Sequence, residues 1–476
     1  MRILISMGKG RRRFAAAITL CAAAAAGTAA LAAPPTRINP DSPGCIVRTV
    51  PPKIGIKETS RSQTGRLITL QLASDAMGIT EPVNVLLPEN YDASGATRYP
   101  VLYLLHGALG SYVDWAANGV QGVLGDFPAI VVMPDDGVDG SYSDWYGLPP
   151  QETGPVPAWE TYHLDELVPF IDGAFPTIAD REHRFIAGLS SGGGGSTKYA
   201  AARPGMFGAV GAFSGAVDTD LDYPEYPAIS EALWGTTAIP TQGPEGHCTW
   251  GDMVTQRVRW RDNTATPMAE NLKGTPLFLA SGTGDPGPYD ASAPYTDPTE
   301  YEVWHMNLEL VKALDAAGIP HTDDFYGPGH HSWPYWLDDL RVFLGWLRPK
   351  IGAPVPRPDA FSYHTARERF AAWGWSFQAV RDVMENTYLK NISKGGFSVT
   401  GSGGLNVVTA PIYAAGKRYS IAVTGTVPVT VRAGDDRRLR FNLDLGPSHE
   451  VQQYKFGANA TQDWTHLVVT IARAVA

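Results

Sequence analysis

One short run carries most of the chemistry legible in this chain: Gly188-Leu189-Ser190-Ser191-Gly192, a G-x-S-x-G pattern. It follows Arg184-Phe185-Ile186-Ala187, which reads as a strand, and precedes residues 191–201, which read as a helix. A serine hydroxyl becomes a useful nucleophile when a tight strand-to-helix turn presents it to a base, and that turn requires small neighbours. Gly188 and Gly192 supply them. The amide of Ser191, at the start of the helix, is placed to stabilise an oxyanion. A glycine-rich phosphate cradle is the competing reading, but it would end in G-K-[ST]. Here Gly195 is followed by Ser196-Thr197-Lys198, and no G-x-G-x-x-G can be aligned on the run.

Such a serine needs a base, which in this arrangement arrives after the last strand of the sheet. His321-Thr322-Asp323-Asp324-Phe325-Tyr326 reads as that strand and Gly327-Pro328-Gly329-His330-His331-Ser332-Trp333 as the loop after it, so His331 or its neighbour His330 is the expected base. An acid must then orient the imidazole. Asp285, Glu300 and Glu302 are the candidates, and spacing alone leaves all three open. The second oxyanion donor is expected in Leu105-His106-Gly107-Ala108-Leu109-Gly110, from the amide of Ala108 with Leu109 as fallback and His106 supporting the loop. Asp135-Asp136-Gly137-Val138-Asp139-Gly140 does not have the oxygen spacing of a calcium loop, and His449-Glu450 is not followed by a second histidine in the H-E-x-x-H position. The expected mechanism uses no metal and no cofactor.

The elements that must position these groups follow from the hydrophobic pattern. Between residues 66 and 349, continuous apolar runs such as Val101-Leu102-Tyr103-Leu104-Leu105 and Ala129-Ile130-Val131-Val132-Met133 alternate with helical stretches. That rhythm predicts an α/β fold: a mostly parallel central sheet with helices on both faces. The first 32 residues are expected to be a signal peptide, with Arg2, Lys9 and Arg11-Arg12-Arg13 before an Ala-rich apolar stretch, and Arg11-Arg12-Arg13-Phe14 is similar to a twin-arginine export signal. Residues 33–63 form an N-terminal arm and residues 64–348 the main domain. Residues 215–274 within it, rich in Pro, Trp and Asp, are expected to be a lid or pocket insertion. A Pro-rich linker, 349–358, leads to a region of alternating pattern, 359–476, that predicts a small antiparallel β-domain of sandwich type. Its Phe370-Ala371-Ala372-Trp373-Gly374-Trp375-Ser376-Phe377 segment could stack on a glycan or fill a core, and the alternation favours the core.

The whole chain carries a net charge of −10, and losing the first 32 residues with their five cations leaves −15. An acidic chain of this kind has no surplus of cations for phosphates, so a nucleic-acid partner is not expected. Nor is a transmembrane anchor. Cys45 and Cys248 remain of the three cysteines, an even pair that an oxidising compartment would join as a disulfide.

Tyr103-Leu104-Leu105-His106-Gly107, Ser143-Asp144-Trp145-Tyr146, Gly188-Leu189-Ser190 and His331-Ser332-Trp333-Pro334-Tyr335-Trp336 together resemble the secreted esterase superfamily of esterase D, S-formylglutathione hydrolase and the antigen 85 type mycolyltransferases. The resemblance covers roughly residues 64–347. It implies an α/β-hydrolase fold and a serine esterase acting on a small-molecule, lipid or glycan ester. It selects His331 over His330. It favours Glu300, which stands seven residues before Asn307, whereas the esterase D pattern would prefer Asp285. It also sets His106, Gly107, Trp145 and Trp333 at the substrate. Two alternatives accompany it: an acyltransferase that moves the acyl group to a sugar, and a non-catalytic wall- or glycan-binding protein on the same fold, with the β-domain as its contact to the cell envelope. The mycolyltransferases follow the loop glycine with Leu-Arg. This chain has Ala108-Leu109 and a shorter loop, which favours hydrolysis.

Overall fold

The computed structural model describes residues 45–48, 50–138, 140–149, 153–219, 247–251, 256–450 and 464–474. The expected signal peptide, the first part of the arm and residues 220–246 of the expected lid lie outside these. Nine strands form the central sheet: β1 (Ile56–Thr64), β2 (Leu67–Ser74), β3 (Thr80–Leu86), β4 (Val101–Leu105), β5 (Ile130–Pro134), β6 (Arg184–Leu189), β7 (Ala209–Phe213), β8 (Leu277–Gly282) and β9 (Thr322–Gly327). Their spatial order is β9-β8-β7-β6-β4-β5-β3-β2-β1. The pairs from β9 to β5 are parallel, and β5-β3, β3-β2 and β2-β1 are antiparallel. This is the α/β-hydrolase fold.

Alternation along β4 explains why it reads as unbroken apolar sequence. Val101, Tyr103 and Leu105 enter the core on one face of the sheet, while Leu102 and Leu104 enter the core on the other. A strand covered on both faces has no solvent side on which to place polar residues. The chain reverses direction across the sheet at β4, which has β5 on one side and β6 on the other. Loops leaving β4 and β6 therefore meet at the carboxyl edge, where open α/β sheets bind ligands.

Residues 256–272, part of the expected lid or pocket insertion, are largely buried. Val258, Trp260, Ala265, Met268 and Leu272 have almost no exposed surface. Their polar neighbours face the C-terminal region: Asn271 donates to the His364 carbonyl at 2.9 Å, and Asp262 accepts from Thr365 and from the Ala366 amide, each at 2.8 Å. This stretch is a fixed wedge between the two sheet systems.

Beyond the Pro-rich segment, ten antiparallel strands form β10 (Phe361–Thr365), β11 (Arg369–Ala372), β12 (Trp375–Val380), β13 (Thr387–Ser393), β14 (Gly396–Gly401), β15 (Gly404–Val408), β16 (Arg418–Val423), β17 (Val429–Arg432), β18 (Arg440–Asp444) and β19 (Thr465–Arg473). They make a six-stranded sheet, β10-β13-β14-β19-β16-β17, facing a four-stranded one, β11-β12-β15-β18, over one shared core. Phe370, Trp373, Trp375 and Phe377 all lie in the buried interior, so this segment offers no exposed aromatic platform. The domain docks through Tyr363, whose hydroxyl donates to the Ala202 carbonyl at 2.9 Å, and through Trp373, whose ring carries the Arg181 guanidinium at 4.5 Å.

Cys45 and Cys248 are joined, closing a sequence separation of 203 residues, and Ile46–Val47 pairs with Gly147–Leu148 beside them. Closing so long a loop restricts the unfolded chain, a contribution of about 2–4 kcal/mol. The double variant Cys45→Ser/Cys248→Ser is therefore expected to melt about 5–10 °C below the oxidised wild type in calorimetry. An unchanged Tm would show that the bridge contributes nothing to the folded state.

Candidate active site

Strand β6 ends at Leu189 and helix α1 (Ser191–Ala202) begins two residues later, so Ser190 must turn the chain within one residue. It does so at φ 54°, ψ −123°, a conformation L-residues avoid at a cost of about 1–3 kcal/mol. Three backbone hydrogen bonds hold it there. The Ser190 amide donates to Phe213 O at 2.9 Å, and its carbonyl accepts from Gly194 at 3.1 Å and Ala216 at 3.0 Å. The flanking glycines are obligatory for reasons of space. A Cβ on Gly188 would stand 2.4 Å from the Gly192 backbone, and one on Gly192 would stand 2.4 Å from the His106 carbonyl oxygen.

The loop after β9 delivers His331 to this serine. His331 Nε2 lies 2.9 Å from Ser190 Oγ, and its Nδ1 lies 2.7 Å from Glu300 Oε2. Glu300 has no exposed surface and its other oxygen is fully used: Oε1 accepts from Ser214 Oγ at 2.8 Å, Ser281 Oγ at 2.9 Å and the Gly282 amide at 2.7 Å. A buried carboxylate is tolerable only with such partners.

Glu300 sits in the first turn of helix α2 (Pro298–Ala316). With about 100° per residue, the seventh residue on returns to the same face. That residue is Asn307, whose side chain donates to the Gly215 carbonyl at 2.9 Å, next to Ser214. The spacing of Glu300 and Asn307 thus places both against the end of β7. Glu302, two residues on, is turned about 200° away. It is buried, one of its oxygens has no partner, and burial pushes its pKa up to about 7. Asp285 is exposed, and its carboxylate accepts from Thr283 at 3.3 Å and Thr296 at 3.4 Å. Neither alternative acid meets His331.

Asp297 is a residue the sequence reading passed over. One of its oxygens caps α2, accepting from the amides of Thr299 at 2.9 Å and Glu300 at 3.3 Å, and the other accepts from the His331 amide at 2.9 Å. It therefore locks the loop of the histidine to the helix of the glutamate. Asp297, Ser214 and Ser281 share one signal: each is a polar residue at the end of an apolar strand or the start of a helix at the carboxyl edge of the sheet.

The β4 loop abuts the serine, since a Cβ on Gly107 would fall 3.2 Å from Ser190 Cβ. The Leu109 amide is spent on the Val138 carbonyl at 2.6 Å, which removes the fallback donor. Among the described residues the Ala108 amide has no acceptor, and the Ser191 amide, first in its helix, has none within the helix. His106 is buried, both ring nitrogens turned to the backbone. Its Nδ1 bonds the Gly107 carbonyl at 2.7 Å and its Nε2 accepts from the Asp136 amide at 3.0 Å, so the neutral ring braces the loop from behind. Burial lowers its pKa accordingly.

Two expected substrate aromatics are likewise engaged elsewhere. Trp145 donates its indole N–H to the Gly140 carbonyl at 3.0 Å and packs against the core. Trp333 packs edge-on against Trp115 and Trp336, at 5.2 and 5.4 Å between centroids. Within helix α3 (Trp333–Leu347), Trp336 is the ring against His331, perpendicular to it at 4.9 Å. Trp333 is half-buried against the core, whereas Trp336, three residues on, is buried in it and meets the histidine. His330 turns the other way, its Nδ1 lying 3.2 Å from Asp290.

Asp135 and Asp136 tie their own loop, accepting from the amides of Gly137 at 2.7 Å and Tyr142 at 2.9 Å. Among the described residues, no group of three or more His, Cys, Asp or Glu side chains could hold a metal ion, and no helix is long and apolar enough to cross a membrane.

The family model described as Esterase, putative esterase, matches residues 74–347. An esterase of Mycobacterium tuberculosis strain H37Rv is 30% identical over 312 residues, 64% of this chain and 65% of the relative, so the chain spans just under two thirds of that protein. A diacylglycerol acyltransferase/mycolyltransferase, Ag85A of Mycobacterium gordonae, is 27% identical over 291 residues, 60% of this chain and 80% of that one. Among solved structures, an S-formylglutathione hydrolase from Agrobacterium tumefaciens matches at a TM-score of 0.46 and 17% identity, covering 62% of this chain and all of that one.

The displaced acid gives a pH test of stability. Because Glu302 has a folded pKa of about 7, above its ordinary 4.5, the fold loses stability as pH rises between those values. Glu302→Gln should match wild type in Tm near pH 4.5 and exceed it by a few degrees at pH 8. A constant difference across that range would contradict the assignment.

Proposed function

Because the chain belongs to the putative esterase family, we propose that it is a secreted serine hydrolase of carboxylic esters that works through an acyl-enzyme on Ser190. The observation that carries this reading is the continuous line from Ser190 Oγ to His331 Nε2, 2.9 Å, and from His331 Nδ1 to Glu300, 2.7 Å. Ser190 Oγ attacks the ester carbonyl carbon as His331 Nε2 takes its proton. Glu300 accepts from Nδ1–H throughout, holding the tautomer and stabilising the imidazolium. The carbonyl oxygen becomes an oxyanion that the Ala108 and Ser191 amides receive, each worth about 3 kcal/mol. Collapse breaks the bond to the alkoxy oxygen, and His331 returns the proton to the departing alcohol. Water enters, loses a proton to His331 and releases the acid, restoring Ser190.

Secretion rests on the N-terminal pattern and the Cys45–Cys248 bridge. A second reading, acyl transfer to a sugar hydroxyl, draws on the likeness to the Ag85A acyltransferase. It differs only in the nucleophile that enters after acylation. Adding trehalose to a reaction with a long-chain acyl ester separates the two: hydrolysis leaves the free acid as product, and transfer diverts it to a glycolipid.

On an aryl ester, Ser190→Ala is expected to lower kcat by about 10⁴-fold or more. Glu300→Gln should lower it by about 10²–10⁴-fold, while Asp285→Asn stays within two-fold of wild type. Loss in Asp285→Asn alone would reassign the acid. Asp297→Asn keeps an oxygen for the helix cap but cannot accept from both the cap and His331. It should lower kcat several-fold with KM unchanged, and a change confined to KM would contradict a positioning role.

A further inference from the structure

A cavity of about 430 Å³ lies where three parts of the molecule meet: the arm, the main domain and the β-domain. That volume is in the range of small-molecule sites, which favour domain junctions. Arg203 on its wall follows the C-terminal end of α1, so the cavity stands about one helix length, ~18 Å, from Ser190. Its walls are pinned. The arm is held by the Cys45–Cys248 bridge, by Arg48 on the Val156 carbonyl at 2.7 Å and by the Gly55 amide on Glu166 at 2.8 Å.

The charges lining it are almost all satisfied. Glu160 is bonded by Arg367 at 2.7 Å, Asp144 accepts from Thr161, Asp262 from Thr365 and Ala366, and Asp165 pairs with Arg203 at 3.3 Å. Arg381 donates to Thr387 at 2.9 Å. Arg259 is different. Its guanidinium rests over the Tyr146 ring at 4.9 Å, its Nε is buried without an acceptor, and it donates to no described residue. A stacked, half-buried guanidinium that lines a cavity and lacks a carboxylate hydrogen-bond partner among the described residues has the geometry of a carboxylate receptor. The remaining wall is apolar, built by Pro51, Pro52 and Ile54 of the arm with Val383 and Met384 opposite.

We propose that this junction is a second binding site, separate from the reaction centre, for a small organic carboxylate whose acid group pairs with Arg259 and whose apolar body lies between the arm and Met384. An anion there would also bridge the arm to the β-domain. Isothermal titration of the oxidised full chain at pH 7 with trans-cinnamate tests it, with cinnamamide and inorganic phosphate as comparison probes. The expected result is saturable 1:1 binding of cinnamate, at least ten-fold weaker binding of both comparison probes, and at least a ten-fold loss in Arg259→Gln with ester hydrolysis within two-fold of wild type. Met384→Trp, which fills the cavity while leaving the arginine in place, should lose binding and keep both Tm and activity. Absence of saturable cinnamate binding, equal binding of the amide or phosphate, or binding unchanged in both variants would overturn the proposal. Carboxylate held at Ser190 would give that last result, so the two sites are distinguished.

Discussion

A carboxylate with no exposed surface can stay in a protein interior only if its oxygens are met by donors, and Glu300 meets four from three places. Ser214 lies just past β7, Ser281 and Gly282 end β8, and His331 comes from the loop after β9. One buried side chain on α2 thus ties together two adjacent strand ends and the histidine loop. Removing any one of these partners leaves a lone pair unpaired in a low-dielectric site, where the penalty is about 1–3 kcal/mol or more. Reactive geometry and sheet-edge stability are here the same network.

The strained turn at Ser190 is the other half of that arrangement. Its backbone energy is offset by a hydrogen bond to the Phe213 carbonyl, by those from the Gly194 and Ala216 amides, and by glycine surfaces that close to backbone contact on both sides. The chain after β7 serves both halves: Phe213 and Ala216 hold the Ser190 backbone, while Ser214 between them bonds Glu300. The serine and the acid are therefore registered to one segment, and this fixes the distance that His331 must span.

Much of this was open to reading from the residues. Continuous apolar runs predicted a sheet covered on both faces, and β4 divides its side chains between two cores as such runs require. The G-x-S-x-G run and the loop after the last strand led to Ser190 and His331, whose side chains lie within hydrogen-bond distance. Spacing alone left the acid open, and only the family resemblance favoured Glu300, because which face of α2 meets the histidine depends on how that helix docks. Glu300 and Glu302 differ by two residues and by more than half a turn. Trp333 and Trp336 lie three residues apart on the same side of α3, so pattern alone could not say which of them touches the histidine. Polar supports such as Asp297 and Ser214 carried no motif, whereas His106, beside the expected oxyanion loop, could be read as its support and bonds Gly107 and Asp136 there. The wedge at residues 256–272 read as an insertion although Ala265, Met268 and Leu272 enter the main core, because the partners of its polar side chains stand more than ninety residues later.

All of these relations converge on one claim, that Ser190 is an activated nucleophile beside a formed oxyanion hole. The direct measurement is intact-mass analysis of the folded, oxidised chain after treatment with a fluorophosphonate, followed by mapping of the modified peptide. A single adduct on Ser190, absent from His331→Gln, is the expected result. No adduct on folded protein, or an adduct on another residue, would contradict it.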